Sequence, residues 1–421
     1  MKYRLSYFLY CISCVIAIAG IALFFDEKTN PQTYQIILKT AIFTVSGISL
    51  FLCLWIKQDK PFFLLFVTLL SFVILDYFIT HKTDENYYTL VAYPLMCILY
   101  PLNMYVLTHI KGHELFFKSF VKKVAILFFE IFFIYIATYL IPSFWSEQTI
   151  FSFQTALSSL LNSSFGLPLT FANVPTLSIF IFCICFSILL YKTFAYIDYL
   201  WCAFLMTFFL TFIAFFYTDS PNIINILFLA SFGCILLSLL QTSHKLAFLD
   251  ELTNIPGRRA LMAALHQYEN DAYTLAMIDI DFFKRLNDSY GHEVGDQALR
   301  TISARLNNYP HGGQIYRYGG EEFMLLFAHQ RIENVLDNIE DMRKRISTTD
   351  FFLRSDKQTE ASTRPHLASI NITLSVGVCQ KASQDKTDDV IKMADTALYK
   401  AKQTGRNKTV YNKEGKFYEL F

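Results

Sequence analysis

Tyr273-Thr274-Leu275-Ala276-Met277-Ile278-Asp279-Ile280-Asp281-Phe282-Phe283-Lys284 decides how the soluble half of this chain is read. Its first eight residues are a short apolar run, which reads as a central strand. Asp279 and Asp281 close that strand and, two residues apart, point to one face. Acids at the end of a buried strand need a reason, and metal binding is a common one. Downstream, Phe282 to Tyr290 reads as a helical turn stopped by Gly291. Val294, Ala298, Leu299, Ile302 and Leu306 then mark one face of a second helix. Gln314 to Tyr318 and Phe323 to Phe327 are two strands around Gly319-Gly320-Glu321-Glu322, where paired glycines suit a tight turn and present two carboxylates at its tip. Ile332, Leu336, Ile339, Met342 and Ile346 make another amphipathic helix. Asn371 to Cys379 reads as a strand, Val390 to Gln403 as a helix ended by Gly405, and Lys408 to Tyr411 as a closing strand. Strands and helices alternate in one α/β unit of about 170 residues, an ordinary domain size.

Upstream the composition changes. The 421 residues are 54% hydrophobic, with 43 Phe and 25 Tyr, and charges are rare before Leu240. A bilayer span needs roughly 20 mostly apolar residues. Eight such runs are legible, at about 5–25, 36–56, 61–80, 88–109, 121–141, 174–191, 197–217 and 221–240. The first is read as an anchor rather than a cleaved leader. Lys2, Arg4, Lys57, Lys60, Lys111, Lys118, Lys122, Lys123, Lys192 and Lys245 fall on alternate sides of the runs from the base-poor loops. The positive-inside rule therefore expects both termini in the cytoplasm. Among charges inside the runs, Lys39 and Asp198 lie near span ends, whereas Asp76 and Glu130 suit a pocket or an interhelical bond. Eight of the nine Cys sit in apolar runs as small hydrophobes, and Cys379 stands alone in the soluble half. The net charge of +1 argues against a nucleic-acid partner. The expected organisation is an all-α polytopic membrane region over 1–240, a connecting helix over 241–250, and a soluble domain over 251–421.

Asp279 and Asp281, Glu321 and Glu322, and the bases Lys284, Lys402 and Arg406 form a kit for phosphoryl or nucleotidyl transfer. Spacing alone also allows solvated turns and helix caps. The ordered motifs go further: Asp250-Glu251-Leu252-Thr253, Asp279 to Lys284, Asn287-Asp288, Gly291-His292-Glu293-Val294-Gly295-Asp296, Arg317-Tyr318-Gly319-Gly320-Glu321-Glu322-Phe323, Ala394 to Lys402 and Gly405-Arg406-Asn407. Over about 245–415 they resemble the diguanylate cyclase, or GGDEF, family.

The resemblance implies a nucleotidyl cyclase-like α/β fold with a mixed, mostly antiparallel central sheet flanked by helices. It implies that two GTP molecules are condensed into cyclic di-GMP and two pyrophosphates by a homodimer. Asp279, the Ile280 carbonyl and Glu321 would hold Mg²⁺, with Mn²⁺ an alternative. Glu321 is the favoured base or metal-positioning residue, and Glu322 assists. Phe282 and Phe283 would offer backbone N–H groups to phosphate, while Lys284, Lys402 and Arg406 would neutralise the triphosphate. Asn287 and Asp296 would read guanine, and His292 would line the same pocket or serve a surface turn. Glu321 stands where many members carry Asp, an active alternative in the family. The family's product-inhibition site, Arg-x-x-Asp before the signature, is replaced here by Pro310 and Gly313. The expectation is a multi-pass protein of the bacterial cytoplasmic membrane with its catalytic domain in the cytoplasm, regulated by an unidentified signal. The alternatives are a catalytically weak GTP-binding module, and a membrane receptor or transporter with an attached cyclase.

Overall fold

The structure, a computed structural model, describes residues 31–81, 93–109, 174–196, 199–308, 312–353, 368–413 and 415–420, with residues 16 and 20 and short stretches of 121–159. The chain divides into two compact units, Met1–Ser243 and His244–Phe421.

In the first unit the described helices are α1 (Pro31–Trp55), α2 (Asp59–His81), α3 (Tyr93–His109), α4 (Thr176–Ala195), α5 (Tyr199–Ala214) and α6 (Pro221–Phe248). Among the described residues, five helical segments are long and apolar enough to cross a membrane: Gln32–Trp55, Asp59–Tyr77, Thr176–Ala195, Tyr199–Tyr217 and Pro221–Phe248. They coincide with the expected spans at 36–56, 61–80, 174–191, 197–217 and 221–240. The expected spans at 5–25 and 121–141 lie largely outside the described residues, and the one at 88–109 is described from Tyr93 onward.

These helices are mostly apolar, and they pack through aromatic side chains. Phe72 lies against Phe228, and Phe182 against Phe208 and Phe212. Where α5 meets α6, Thr207 donates a hydrogen bond to the Ser231 carbonyl, the kind of polar contact that joins helices in an apolar medium. Asp76 on α2 is ion-paired with Lys39 on α1 at 2.8 Å. Lys39 therefore reaches a partner rather than simply running to the span end, and Asp76 serves as an interhelical bond. Glu130 and Asp198 lie outside the described residues. Lys60 at the start of α2 and Lys192 near the end of α4 both lie over the Trp201 ring, 5.6 and 4.9 Å from its centre. Two of the bases expected on the cytoplasmic side thus share one end of the helices.

The second unit is built on a six-stranded sheet in the order β2-β3-β1-β6-β7-β8. The strands are β1 (Tyr273–Ile280), β2 (Gln314–Gly319), β3 (Glu322–Ala328), β6 (Leu374–Lys381), β7 (Thr409–Lys413) and β8 (Lys416–Leu420). Only the β6–β7 pairing is parallel, so the sheet is mixed and mostly antiparallel. A short separate pair, β4 (Phe351–Leu353) with β5 (Ala368–Ile370), stands apart from it. All eight residues of β1 are buried because the strand is central and covered on both faces. Ala276, Ile278 and Ile280 join one core with Leu299, Ile302 and Ile339, from helices α9 (His292–Asn307) and α10 (Ile332–Thr348). Tyr273, Leu275 and Met277 join the other with Leu261 of α7 (Arg258–Gln267) and Leu398 of α11 (Thr387–Gln403). The two-residue period of the strand makes that division.

Three details differ from the sequence reading. The strand expected from Asn371 begins at Leu374, because its antiparallel neighbour β1 ends at Ile280, opposite Leu374. The small β4–β5 pair and the edge strand β8 are additional. Of the two turn glycines only Gly320 has a positive φ, +34°.

Candidate active site

The open end of β1 places the first group of side chains. Asp279, 5% exposed, lies in register between Glu322 of β3 and Ser375 of β6. Glu321 follows Gly320 in the turn between β2 and β3. Lys402, in the last turn of α11, brings Nζ to 2.9 Å from Asp279 Oδ2. Burial pushes the Asp279 carboxyl above its usual range, against the opposing pull of Lys402. Burial and then the charge of Asp279 raise both Glu321 and Glu322. Asp279 raises both glutamates and Glu322 adds to the rise on Glu321, so negative charge is concentrated beside one amine, a setting that favours an added cation.

The turn carrying Glu321 is braced from outside. Arg317 donates from Nε and Nη2 to the Gly320 carbonyl at 3.1 and 2.7 Å, and from Nη1 to Asp250 Oδ1 at 2.7 Å. Asp250 Oδ1 also accepts from the Thr253 N–H and hydroxyl. The motif Asp250-Glu251-Leu252-Thr253 is thus a support for the signature turn.

Asp281 is not part of the carboxylate group. It lies one residue past β1 and is buried. It accepts from Thr373 Oγ1 at 2.8 Å, Ser375 Oγ at 2.7 Å and the Asn407 N–H at 3.0 Å. Its lone pairs are used to hold two loops, which separates its role from that of Asp279.

Phe282 comes next and has φ +58°, a left-handed backbone that bulky residues rarely adopt. Such strain persists where the surroundings fix it, often at functional sites. It turns the chain into α8 (Phe283–Tyr290), whose first N–H groups have no partners within the helix. Phe282 is exposed, and the Arg406 guanidinium lies 4.6 Å from its ring centre. Phe283 is buried and Lys284 is exposed.

The corner between α8 and α9 holds the third group. Asn287 Oδ1 is buried, with no hydrogen-bond partner among the described residues. Gly295 makes room for it: a Cβ there would lie 1.9 Å from Asn287 Oδ1. Asp296, half-buried, is the next residue on α9, and His292 is exposed at the helix start. An orphaned carbonyl oxygen beside a half-buried carboxylate is a polar corner suited to a hydrogen-bonding ligand.

Among the described residues no three His, Cys, Asp or Glu side chains come together as a closed metal cage. The hard oxygen donors of Asp279 and Glu321 do fit a magnesium ion, which takes one or two carboxylates and completes its shell with water and substrate phosphate. Of the positions expected to carry product inhibition, Pro310 lies outside the described residues. Gly313 packs against the Phe327 ring so closely that a Cβ would lie 2.6 Å from it.

The family model for the diguanylate cyclase GGDEF domain matches residues 247–408. Residues 247–408 are a GGDEF domain. The chain is 36% identical over 170 residues to the diguanylate cyclase VdcA of Vibrio cholerae, covering 40% of this chain and 48% of that one. It is also 36% identical over 169 residues to the diguanylate cyclase DgcZ of Escherichia coli, covering 39% and 53%. It thus spans about half the length of these curated relatives. A crystal structure of the DgcB GGDEF domain from Caulobacter crescentus, in complex with c-di-GMP, matches at 29% identity and a TM-score of 0.35, over 39% of this chain and 95% of that one. Asp281, Asn407 and Asp250 are supports whose partners the sequence alone did not reveal.

Proposed function

We propose that this chain is a membrane-bound diguanylate cyclase that condenses two GTP into cyclic di-GMP. The observation that carries the reading is the juxtaposition of three mutually repelling carboxylates with Lys402, a short helix away from the unpaired Asn287 oxygen. Phosphate chemistry and base recognition are thereby joined by one continuous segment, Asp279 to Asp296.

In this reading each GTP guanine docks at the α8–α9 corner. Asp296 accepts from guanine N1–H and the exocyclic amine, and Asn287 Oδ1 takes up a guanine donor. Adenine lacks that donor pair, so GTP is preferred to ATP. The triphosphate crosses the first turn of α8, where the N–H groups of Phe282 and Phe283 donate to it. Lys284, Lys402 and Arg406 offset its charge. Asp279, the Ile280 carbonyl and Glu321 would hold Mg²⁺, which would polarise the phosphate when bound. Glu321, its proton affinity raised by burial and by Asp279, takes the proton from the attacking 3′-hydroxyl. Glu322 keeps the negative field in place beside it. Each 3′-oxygen bonds to the α-phosphorus of the other GTP, the bond from that phosphorus to the β-phosphate oxygen breaks, and pyrophosphate leaves. One domain holds one GTP, so the working unit is a homodimer. The membrane region anchors it in the bacterial cytoplasmic membrane and regulates it.

The purified full chain in detergent, given GTP and Mg²⁺, is expected to release cyclic di-GMP, identified by mass spectrometry. Absence of that product at any GTP concentration would overturn the reading. Asp296→Ala is expected to raise the KM for GTP about tenfold or more and to narrow the preference over ATP, by removal of a charged hydrogen-bond acceptor. An unchanged GTP-to-ATP ratio would remove Asp296 from base recognition. Added cyclic di-GMP is expected to inhibit only by competing for the active site, since Pro310 and Gly313 supply neither charge of the family's feedback motif. Potent noncompetitive inhibition would contradict this.

A further inference from the structure

Gly405, Arg406 and Asn407 have φ values of +118°, +62° and +48°. Two non-glycine residues in succession adopt a backbone that L-residues avoid, so something must hold them there. Part of the hold is local: the Arg406 N–H donates to the Ala401 carbonyl at 2.9 Å, and the Asn407 N–H to Asp281 Oδ2. The rest comes from α10. Arg343 donates from Nη1 to Asn407 Oδ1. Its other donors, Nε and Nη2, form a fork on Glu340, at 2.9 Å to Oε2 and 2.6 Å to Oε1. Glu340 Oε2 also accepts from Thr409 Oγ1 on β7 at 2.8 Å.

Arg343 and Glu340 are each 6% exposed. Burying such a pair is costly, and an apolar pair of similar volume would staple α10 to the sheet at least as well. What an apolar pair would lack is direction. The fork on Glu340 fixes the plane of the guanidinium, and this aims Nη1 at Asn407. Asn407 is the residue after Arg406, whose guanidinium lies over Phe282 at the start of α8.

We infer that Arg343, fixed by Glu340 and bonded to Asn407, is a positioning residue that sets Arg406 toward the substrate triphosphate. The inference rests on the reading above that Arg406 holds phosphate. Arg343 itself touches no substrate. Its loss frees the left-handed turn, and Arg406 then spends less time where the phosphates lie. The corner formed by Asn287 and Asp296 is untouched, so guanine recognition is preserved.

The test uses the full chain in detergent with Mg²⁺ and two probes. One is a GTP analogue with a methylene bridge between the α and β phosphorus atoms, and the other is GMP. Asn407→Ala is expected to weaken the analogue about tenfold, the scale of a lost hydrogen bond to a charged group, and to leave GMP within about twofold. Asn407→Asp keeps the acceptor and tolerates the left-handed backbone, so it should bind both probes like the parent. Arg343→Gln should weaken the analogue in the parent and have no further effect in Arg406→Ala, the non-additivity expected of residues acting through one another. Analogue binding by Asn407→Ala within twofold of the parent overturns the inference. So does full additivity of Arg343→Gln and Arg406→Ala. Unchanged analogue binding by Arg406→Ala alone overturns the phosphate assignment, and the inference with it. If Arg343→Gln does not fold, the Asn407 pair carries the test by itself.

Discussion

Glu321→Ala is expected to lower the turnover of GTP by about a thousandfold, the scale of removing a group that acts on charge developing in a transition state. The side chain sits in the turn between β2 and β3, beside Asp279 and Glu322, and burial and the Asp279 charge raise its proton affinity. On the proposed roles, alanine would remove both the acceptor for the 3′-hydroxyl proton and one oxygen donor for the metal. The turn itself should survive, since its brace runs through the Gly320 carbonyl, Arg317 and Asp250 rather than through the Glu321 side chain. The loss should therefore appear in kcat, with thermal stability unchanged. Glu321→Asp should keep much of the activity, because a carboxylate remains at the tip. Retention of more than about a tenth of the parent rate by Glu321→Ala would show that the chemistry lies elsewhere.

Gly377→Ala should have the largest effect on stability. Gly377 lies on β6, between Met277 of β1 and Val410 of β7, under the middle of α11. A Cβ there would lie 2.2 Å from the Ala394 carbonyl oxygen, 2.2 Å from the Leu398 nitrogen and 2.8 Å from the Leu398 Cα. These are backbone atoms, so no side-chain rotation relieves the clash, and the whole helix must lift. Overpacking a core costs typically about 1–3 kcal/mol, and this case belongs at or above the upper end. Lifting α11 also draws Lys402 from Asp279, so activity should fall with stability. Amide hydrogen exchange in β6 and α11 measures this locally. A variant with parental protection in both elements would mean that the close approach is not required. The effect is confined to the domain of His244–Phe421, and the membrane helices should keep their own protection.

The sequence carries the central strand plainly, because burial on both faces demands the run of apolar or small residues from Tyr273 to Ile278, and the acids mark where it ends. The Asn287–Asp296 corner lies within a short stretch of chain, whereas Asp279 and Glu322 are brought together only by the pairing of β1 with β3. The braces were not legible. Asp281 looks like a twin of Asp279, and only its partners, 92, 94 and 126 residues away, show it to be a support between loops. Arg343 and Glu340 look like an ordinary ion pair on a helix surface at i,i+3, and only their burial against Thr409 and Asn407 shows otherwise. The pairing of Lys39 with Asp76 joins two helices, and hydropathy does not report which faces meet. The left-handed Phe282 was likewise hidden, because local preference argues against it and tertiary contacts override that preference.

The contact between Lys402 and Asp279 has a consequence for how the domain is made. The amine is a resident counter-ion, supplied by the chain itself, and it offsets part of the cost of burying the carboxylate at the end of β1. The domain is therefore expected to fold without a divalent ion, unlike small domains in which the metal supplies the folding free energy. On the proposed magnesium site, chelation is expected to stop turnover while the melting temperature stays where it was.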